Sequence, residues 1–228
     1  MSILFVTGID TGVGKTVATG LLARHLLRQG SSVVTQKLVQ TGSEEPAEDI
    51  VAHRRLMGVP LLDVDRDGTT CPYVFPYPAS PHLAARLAGR EVDPGVLLDA
   101  TRTLASRFDR ILVEGVGGVC VPLRAGVTIL DLLAAARWPI VVVTSARLGS
   151  VNHTLLTLEA LGRRGLEVTG IILNRAPAAP APILEDARRI FREALTAGGW
   201  RDRLVELPAA IDPAAPPDID FSILFPGG

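Results

Sequence analysis

The stretch that most constrains this chain is residues 3–17. Ile3-Leu4-Phe5-Val6 is a short apolar run, Gly8-Ile9-Asp10-Thr11-Gly12-Val13-Gly14-Lys15-Thr16 follows it, and a helical pattern begins at once. An apolar run this short, bounded by glycine, reads as a strand buried on both faces of a parallel sheet. Strand, glycine-rich loop ending in Gly-Lys-Thr, and helix together are the context of a phosphate-binding P-loop. Backbone N–H groups of such a loop point inward at an anion, and the helix N-terminus adds the positive end of its dipole. Lys15 would reach the β- and γ-phosphate oxygens as a point charge, and Thr16 would offer its hydroxyl to Mg2+. The candidate nucleotide-binding set here is Gly12, Val13, Gly14, Lys15, Thr16 and Val17. The spacing departs from the usual by one residue, with Ile9 where the first glycine is expected and Gly8 one position further back.

Composition narrows the function classes. A net charge of −1 and 4% aromatic residues provide neither a basic footprint nor a stacking platform for nucleic acid. Cys71 and Cys120 stand far apart with no Cys-x-x-Cys or Cys/His spacing, so neither a disulfide framework nor a zinc site is signalled. Two reduced cysteines, no basic segment before the first apolar run and no run of membrane-spanning length imply a cytoplasmic protein without a membrane partner.

Along the chain, apolar periodicity predicts a helix over 16–29, a strand over 31–36 ending at Lys37, a loop over 37–43 and a helix over 46–57. Residues 59–81 show no sustained period and read as an irregular excursion with one short strand. Helices are expected from Pro81 to Gly89, over 94–108, 127–137, 152–161 and 183–195, and strands over 110–114, 139–144, 168–174 and 204–207. The segment 176–182 reads as a linker. Strands alternating with helices predict an α/β fold: a doubly wound, mainly parallel sheet flanked by helices, of the P-loop NTPase type, as one domain over 1–228. In such sheets ligands bind beyond the carboxyl ends of the strands. Those ends bring together Gly8, Lys37, Glu114, Ser145, Asn174 and Pro208.

Lys15 and Lys37 are the only lysines among 23 Lys and Arg side chains, and both fall at this edge. A compact ammonium there suits a phosphate or carboxylate whose charge grows during reaction. Glu114 closes an apolar strand where P-loop proteins place the acid that holds Mg2+. Asp49 could be a second carboxylate ligand, but the residues alone do not separate it from Glu44, Glu45 and Glu48. Asn174 could read a purine through its amide or simply shape a strand-end turn. Gly149, Ser150, Val151 and Asn152 precede an apolar helix and could leave free N–H groups for an anion. The basic stretch from His53 to Arg55 reads as a solvated face.

The assembled motifs resemble the dethiobiotin synthetases. They are Val6-Thr7-Gly8-x-Asp10-Thr11-x-Val13-Gly14-Lys15-Thr16, Lys37-x-Val39-Gln40-Thr41-Gly42, Ser80-Pro81-His82, Val113-Glu114-Gly115-x-Gly117-Gly118 and Leu148-Gly149-x-x-Asn152-His153, in that order over nearly the whole chain. The resemblance implies ATP and Mg2+ as cofactors, with diaminopelargonic acid and CO2 as substrates. It makes Lys37 and Lys15 catalytic, and Thr16, Asp49 and Glu114 the metal shell. Gly115, Val116, Gly117, Asn174, Arg175, Pro208, Ala209 and Ala210 would join the nucleotide site. Thr11, Lys37 and Thr41 would face the diamine. It also implies a homodimer whose substrate site spans the interface, with Gly149 to Asn152 of one copy serving the other. Two departures stand out: Leu38 where the family usually has Pro, so that the loop after Lys37 is expected to be less rigid, and Gly12 where several members carry an acid.

A partitioning-type ATPase switch of the same superfamily is the alternative. Its signature lysine is missing, since Asp10 stands at that place. A GTPase would want Asn-Lys-x-Asp, and Asn174 is followed by Arg175-Ala176-Pro177.

Overall fold

The computed structural model describes residues 2–225, so Met1 and residues 226–228 of the expected domain lie outside it. The chain runs β1 (Ser2–Gly8), α1 (Lys15–Arg28), β2 (Val33–Lys37), β3 (Gln40–Thr41), α2 (Glu48–Met57), α3 (Asp63–Arg66) and β4 (Val74–Phe75). It continues through α4 (Pro81–Leu87), α5 (Pro94–Ala105), β5 (Arg110–Glu114), β6 (Pro122–Arg124), β7 (Val127–Thr128), α6 (Ile129–Ala136) and β8 (Ile140–Ser145). Then come α7 (Ser150–Arg163), β9 (Val168–Asn174), α8 (Ala181–Ala197), β10 (Leu204–Leu207) and a 3-10 turn at Ser222–Leu224.

Six strands form one parallel sheet in the order β10-β9-β8-β1-β5-β2. β1 lies inside it, between β5 and β8, so the loop after Gly8 leaves the sheet where the strand order switches direction. Register then aligns the chemistry: Glu114 stands opposite Val6 on one side and Lys37 on the other. The inner strands are apolar throughout because helices cover both faces; Val141, Val142, Val143, Ile171 and Ile172 are fully buried. Each such side chain contributes roughly 1.5–3 kcal/mol by leaving water. Phe5 packs on Trp138 with ring centroids 6.4 Å apart, and its ring lies 2.9 Å from where a Cβ at position 115 would sit. Gly115 thus lets the chain turn away from β5 without pushing on the core.

The sheet and its main helices follow the sequence pattern, and several local expectations change. The loop 37–43 contains β3, which pairs in parallel with β4, Gln40 opposite Val74 and Thr41 opposite Phe75. The excursion over 59–81 holds α3 as well as a strand. Residues 127–128, expected to be helical, pair with β6 instead, and Thr128 caps α6 through a reciprocal bond pair with Asp131. α7 begins at Ser150, two residues earlier than its apolar stripe indicates, and α8 begins at Ala181 inside the expected linker.

Candidate active site

At the carboxyl edge, β2 delivers Lys37, β5 delivers Glu114 and the first turn of α2 delivers Asp49. Lys37 Nζ lies 2.5 Å from Asp49 Oδ2 and 2.7 Å from Glu114 Oε1, and donates to Gly115 O at 3.1 Å. Burial by itself pulls the Lys37 ammonium down, but Glu114 and Asp49 outweigh it and hold the group above its ordinary value. Burial likewise pushes the Glu114 carboxyl up, and Lys37 with His53 overcome it, keeping the group well below the usual carboxylate range. Both groups are therefore charged, and neither is poised as an acid or base near neutral pH.

The P-loop sits against this knot. Gly14 precedes α1 with φ 100°, a left-handed conformation that favours glycine, and α1 starts at Lys15. Thr16 Oγ1 lies 2.9 Å from Asp49 Oδ1 and 3.2 Å from Glu114 Oε1. Lys15 bends back over the loop and donates to Asp10 O at 2.8 Å. Burial, with the Lys37 charge second, brings the Lys15 ammonium down to about 8, even though Glu114, Asp49 and Asp10 oppose the shift. Asp10 also pairs with Arg147, which ties the start of the P-loop to the turn before α7.

The oxygens of Thr16, Asp49 and Glu114 come from three segments and are hard donors, the set that suits Mg2+. Lys37 places its positive charge between the two carboxylates. Among the described residues no group of three or more His, Cys, Asp or Glu could hold a metal ion. Mg2+ ordinarily retains waters and takes further oxygens from phosphate. Glu44, Glu45 and Glu48 are exposed, so position separates Asp49 from its acidic neighbours.

A cavity of about 720 Å³ opens from this cluster. Thr11, Gly12, Gly14, Lys15, Thr16, Val17, Lys37, Thr41, Asp49, Glu114, Val116 and Gly117 line it, joined by Val39, Pro78, Ala79 and Val121. Val13 lies under the loop, buried. The expected base-binding group lies beyond the cavity wall. Asn174 donates to Val13 O at 3.0 Å and accepts from the Ala176 amide at 3.0 Å, and Arg175, Pro208, Ala209 and Ala210 follow the ends of β9 and β10. Gly149, Ser150, Val151 and Asn152 do not line the cavity of their own chain either. The Ser150 amide closes a turn onto Arg147 O at 3.0 Å, so the donors left at the start of α7 are those of Val151 and Asn152. Leu38, the departure from the family pattern, is fully buried, and its amide donates to Glu114 O at 3.0 Å, a bond proline could not make. With β3 paired to β4, backbone bonds hold this loop where proline would have stiffened it.

The solvated face expected at His53 to Arg55 is corrected: Arg55 is exposed, but His53 and Arg54 are buried. His53 Nε2 lies 2.7 Å from Glu114 Oε2, and Arg54 forks onto Asp65 with two 2.8 Å bonds. Charge hid them, yet the period was legible: Ile50, His53, Arg54 and Met57 share the inward stripe of α2.

A family model described as an AAA domain matches residues 2–211. The ATP-dependent dethiobiotin synthetase BioD of Chlorobaculum tepidum is 45% identical over 226 residues, spanning 99% of this chain and 95% of that protein. ATP-dependent dethiobiotin synthetase BioD 2 of Pasteurella multocida is 44% identical over 193 residues, 85% of this chain and 91% of its own length. Among solved structures, a ParA family ATPase from Chlorobium tepidum TLS superposes with a TM-score of 0.54 at 17% identity, covering 91% of this chain and 84% of its own. That likeness concerns the fold alone, and it agrees with the P-loop NTPase architecture read from the sequence.

Proposed function

The chain belongs to the ATP-dependent dethiobiotin synthetase family, and from that premise we propose that it is an ATP-dependent ligase that closes a cyclic urea on diaminopelargonic acid. One amine adds CO2 and becomes a carbamate. A carbamate oxygen attacks the γ-phosphorus of ATP and ADP leaves. The second amine then attacks the carbonyl carbon of the carbamic-phosphoric anhydride and expels phosphate. No step needs a covalent nucleophile from the protein; it must hold carbamate and γ-phosphate in line and neutralise developing charge.

The observation that carries the reading is a pair of buried ammonium groups, Lys15 and Lys37, lining one cavity together with apolar side chains. Lys15 and the amides of Gly12, Val13, Gly14 and Val17 would hold the phosphates. Lys37 would hold the carbamate and the transferring phosphoryl oxygens; Thr11 and Thr41 face the amines. Val39, Pro78, Ala79, Val116 and Val121 suit the aliphatic chain of the substrate. Thr16, Asp49 and Glu114 would hold Mg2+, which supplies charge neutralisation at the phosphates. Gly115, Gly117 and the segments from Asn174 to Arg175 and Pro208 to Ala210 would flank the nucleoside.

The substrate carboxylate needs a partner several carbons from the amines. We assign it to the start of α7, Gly149 to Asn152, of a second copy in a homodimer. Two facts support this placement: these residues lie off the cavity of their own chain, and Leu148, Leu155 and Leu156 expose apolar surface beside them. No helix among the described residues is long and apolar enough to cross a membrane, and Cys71 and Cys120 are free.

Phosphate release from ATP, measured with and without the diamine and bicarbonate, tests the proposal. Release that requires both substrates is expected. Hydrolysis that ignores the diamine and rises with DNA would instead favour the ATPase switch.

A further inference from the structure

Glu114 gives its two oxygens to different partners. Oε1 takes Lys37 Nζ at 2.7 Å and Thr16 Oγ1 at 3.2 Å; Oε2 takes His53 Nε2 at 2.7 Å. Behind it, His53 Nδ1 lies 3.0 Å from Thr35 Oγ1, which accepts from Arg54 Nη1 at 2.9 Å. Asp65 fixes Arg54 from the other side and also accepts from Thr70 Oγ1 at 2.8 Å and the Leu62 amide at 2.7 Å. His53, Thr35, Arg54 and Glu114 are all buried.

Donor inventory assigns the protons along this row. A guanidinium only donates and a carboxylate only accepts. Thr35 therefore accepts from Arg54, and the His53 N–H that faces Glu114 is the one on Nε2, with Nδ1 held against the Thr35 hydroxyl. Arg54, Thr35, His53 and Glu114 thus form one hydrogen-bonded row in which each side chain has a partner.

We infer that His53 is a positioning residue that commits one oxygen of Glu114, so that this carboxylate meets a divalent cation through Oε1 alone. The inference rests on the reading of Glu114 as a Mg2+ ligand. Asp49 and His53 are four residues apart on α2, hence on one face, so the helix that brings one carboxylate to the site also locks the other. A one-oxygen carboxylate fits the compact octahedral shell of Mg2+, whereas Ca2+ takes carboxylates readily through both oxygens in a larger shell. His53 should thus set both the affinity for the ion and the preference for Mg2+ over Ca2+.

The test uses Mn2+ as the probe, its binding to the protein–ADP complex followed by paramagnetic resonance, with Mg2+ and Ca2+ as competitors. His53→Leu should weaken Mn2+ roughly 10–100-fold and narrow the Mg2+/Ca2+ preference. His53→Gln keeps an N–H donor toward Glu114 and should stay within about threefold of the unaltered chain. A folded His53→Leu protein with unchanged Mn2+ affinity and unchanged ion preference would overturn the inference. Glu114→Gln, run alongside, separates the two ideas. If it leaves Mn2+ binding intact, the ligand reading fails; if it weakens binding while His53→Leu does not, the role of His53 fails. Should His53→Leu not fold, Thr35→Val decides, since it removes the hydroxyl that holds Nδ1 but keeps the shape. Weakened Mn2+ binding supports the inference and unchanged binding overturns it.

Discussion

Lys37 and Leu148 both stand at or just past the carboxyl end of a strand in the same sheet, β2 and β8, yet Lys37 is 5% exposed and Leu148 99%. Around Lys37, one chain supplies everything: two carboxylates, a backbone carbonyl, a threonine hydroxyl, and behind them His53, Thr35 and Arg54. Around Leu148, one chain supplies little. Gly149 begins α7 without a side-chain cap, and a Cβ there would meet nothing within 4 Å. The contrast teaches that the charged cluster is organised within one chain before any ligand arrives, while Leu148, just before α7, is exposed, as the proposed second copy would require. A charge cluster must be arranged in advance because reorganising it during the reaction would cost much of the rate. An apolar and backbone-only region carries no such demand.

Predictions that attack the charged end should have the largest effects. Lys37→Gln is expected to lower kcat by roughly two to four orders of magnitude while nucleotide binding survives, as steady-state turnover and ADP titration would show. Because it leaves Asp49 and Glu114 facing each other without a counter-ion, its melting temperature should become more dependent on Mg2+ than that of the unaltered chain. A variant that keeps half the turnover would mean that the cluster is a structural ion pair and no more.

Asp49→Asn comes next, with the Mg2+ needed for half-maximal turnover rising about 10-fold or more. An unchanged Mg2+ requirement would remove Asp49 from the shell and leave it as a partner of Lys37 alone.

The third prediction concerns pH and works on the P-loop. Phosphates favour the charged form of Lys15, whose ammonium in the free chain loses its proton at about pH 8. Binding above that pH must take a proton up, so ADP affinity should fall as pH rises through about 8, approaching roughly tenfold per unit. Calorimetry in buffers of different ionisation enthalpy reads the uptake directly. Binding with no proton uptake at pH 9 would show that Lys15 stays charged in the free chain.

The smallest effect is expected at the open end. Val151→Pro deletes one of the N–H donors at the start of α7 and should raise KM for the diamine a few-fold with kcat little changed. Sedimentation of the free protein checks the assembly behind it. A pure monomer at working concentrations would leave the substrate carboxylate without the partner assigned to it.

How far the sequence reached follows the same division. The strands and the P-loop were legible because burial on both faces writes a continuous apolar run, and because Gly-Lys-Thr after a strand has few other uses. Lys15, Thr16, Lys37 and Glu114 could be placed together for the same reason, as each sits at a strand end or the helix behind it. The residues alone do not separate Asp49 from three acidic neighbours; the family resemblance picks it out, and the first turn of α2 places it on Lys37. Their charge makes His53 and Arg54 read as solvated, although their spacing from Ile50 and Met57 puts them on the buried stripe. β3 is illegible because a two-residue strand carries no period; its pairing with β4, which falls in the stretch where one short strand is expected, comes from tertiary placement of a loop.

The account stands or falls on whether one site joins CO2, diamine and ATP. The direct measurement is incubation of the protein with diaminopelargonic acid, ATP, Mg2+ and carbon-13 bicarbonate, with the product followed by mass spectrometry and phosphate counted in parallel. The account predicts a cyclic urea carrying the label in its carbonyl, formed in step with phosphate, and lost with Lys37→Gln. Phosphate released without labelled product, at a rate that Lys37→Gln leaves unchanged, would contradict it.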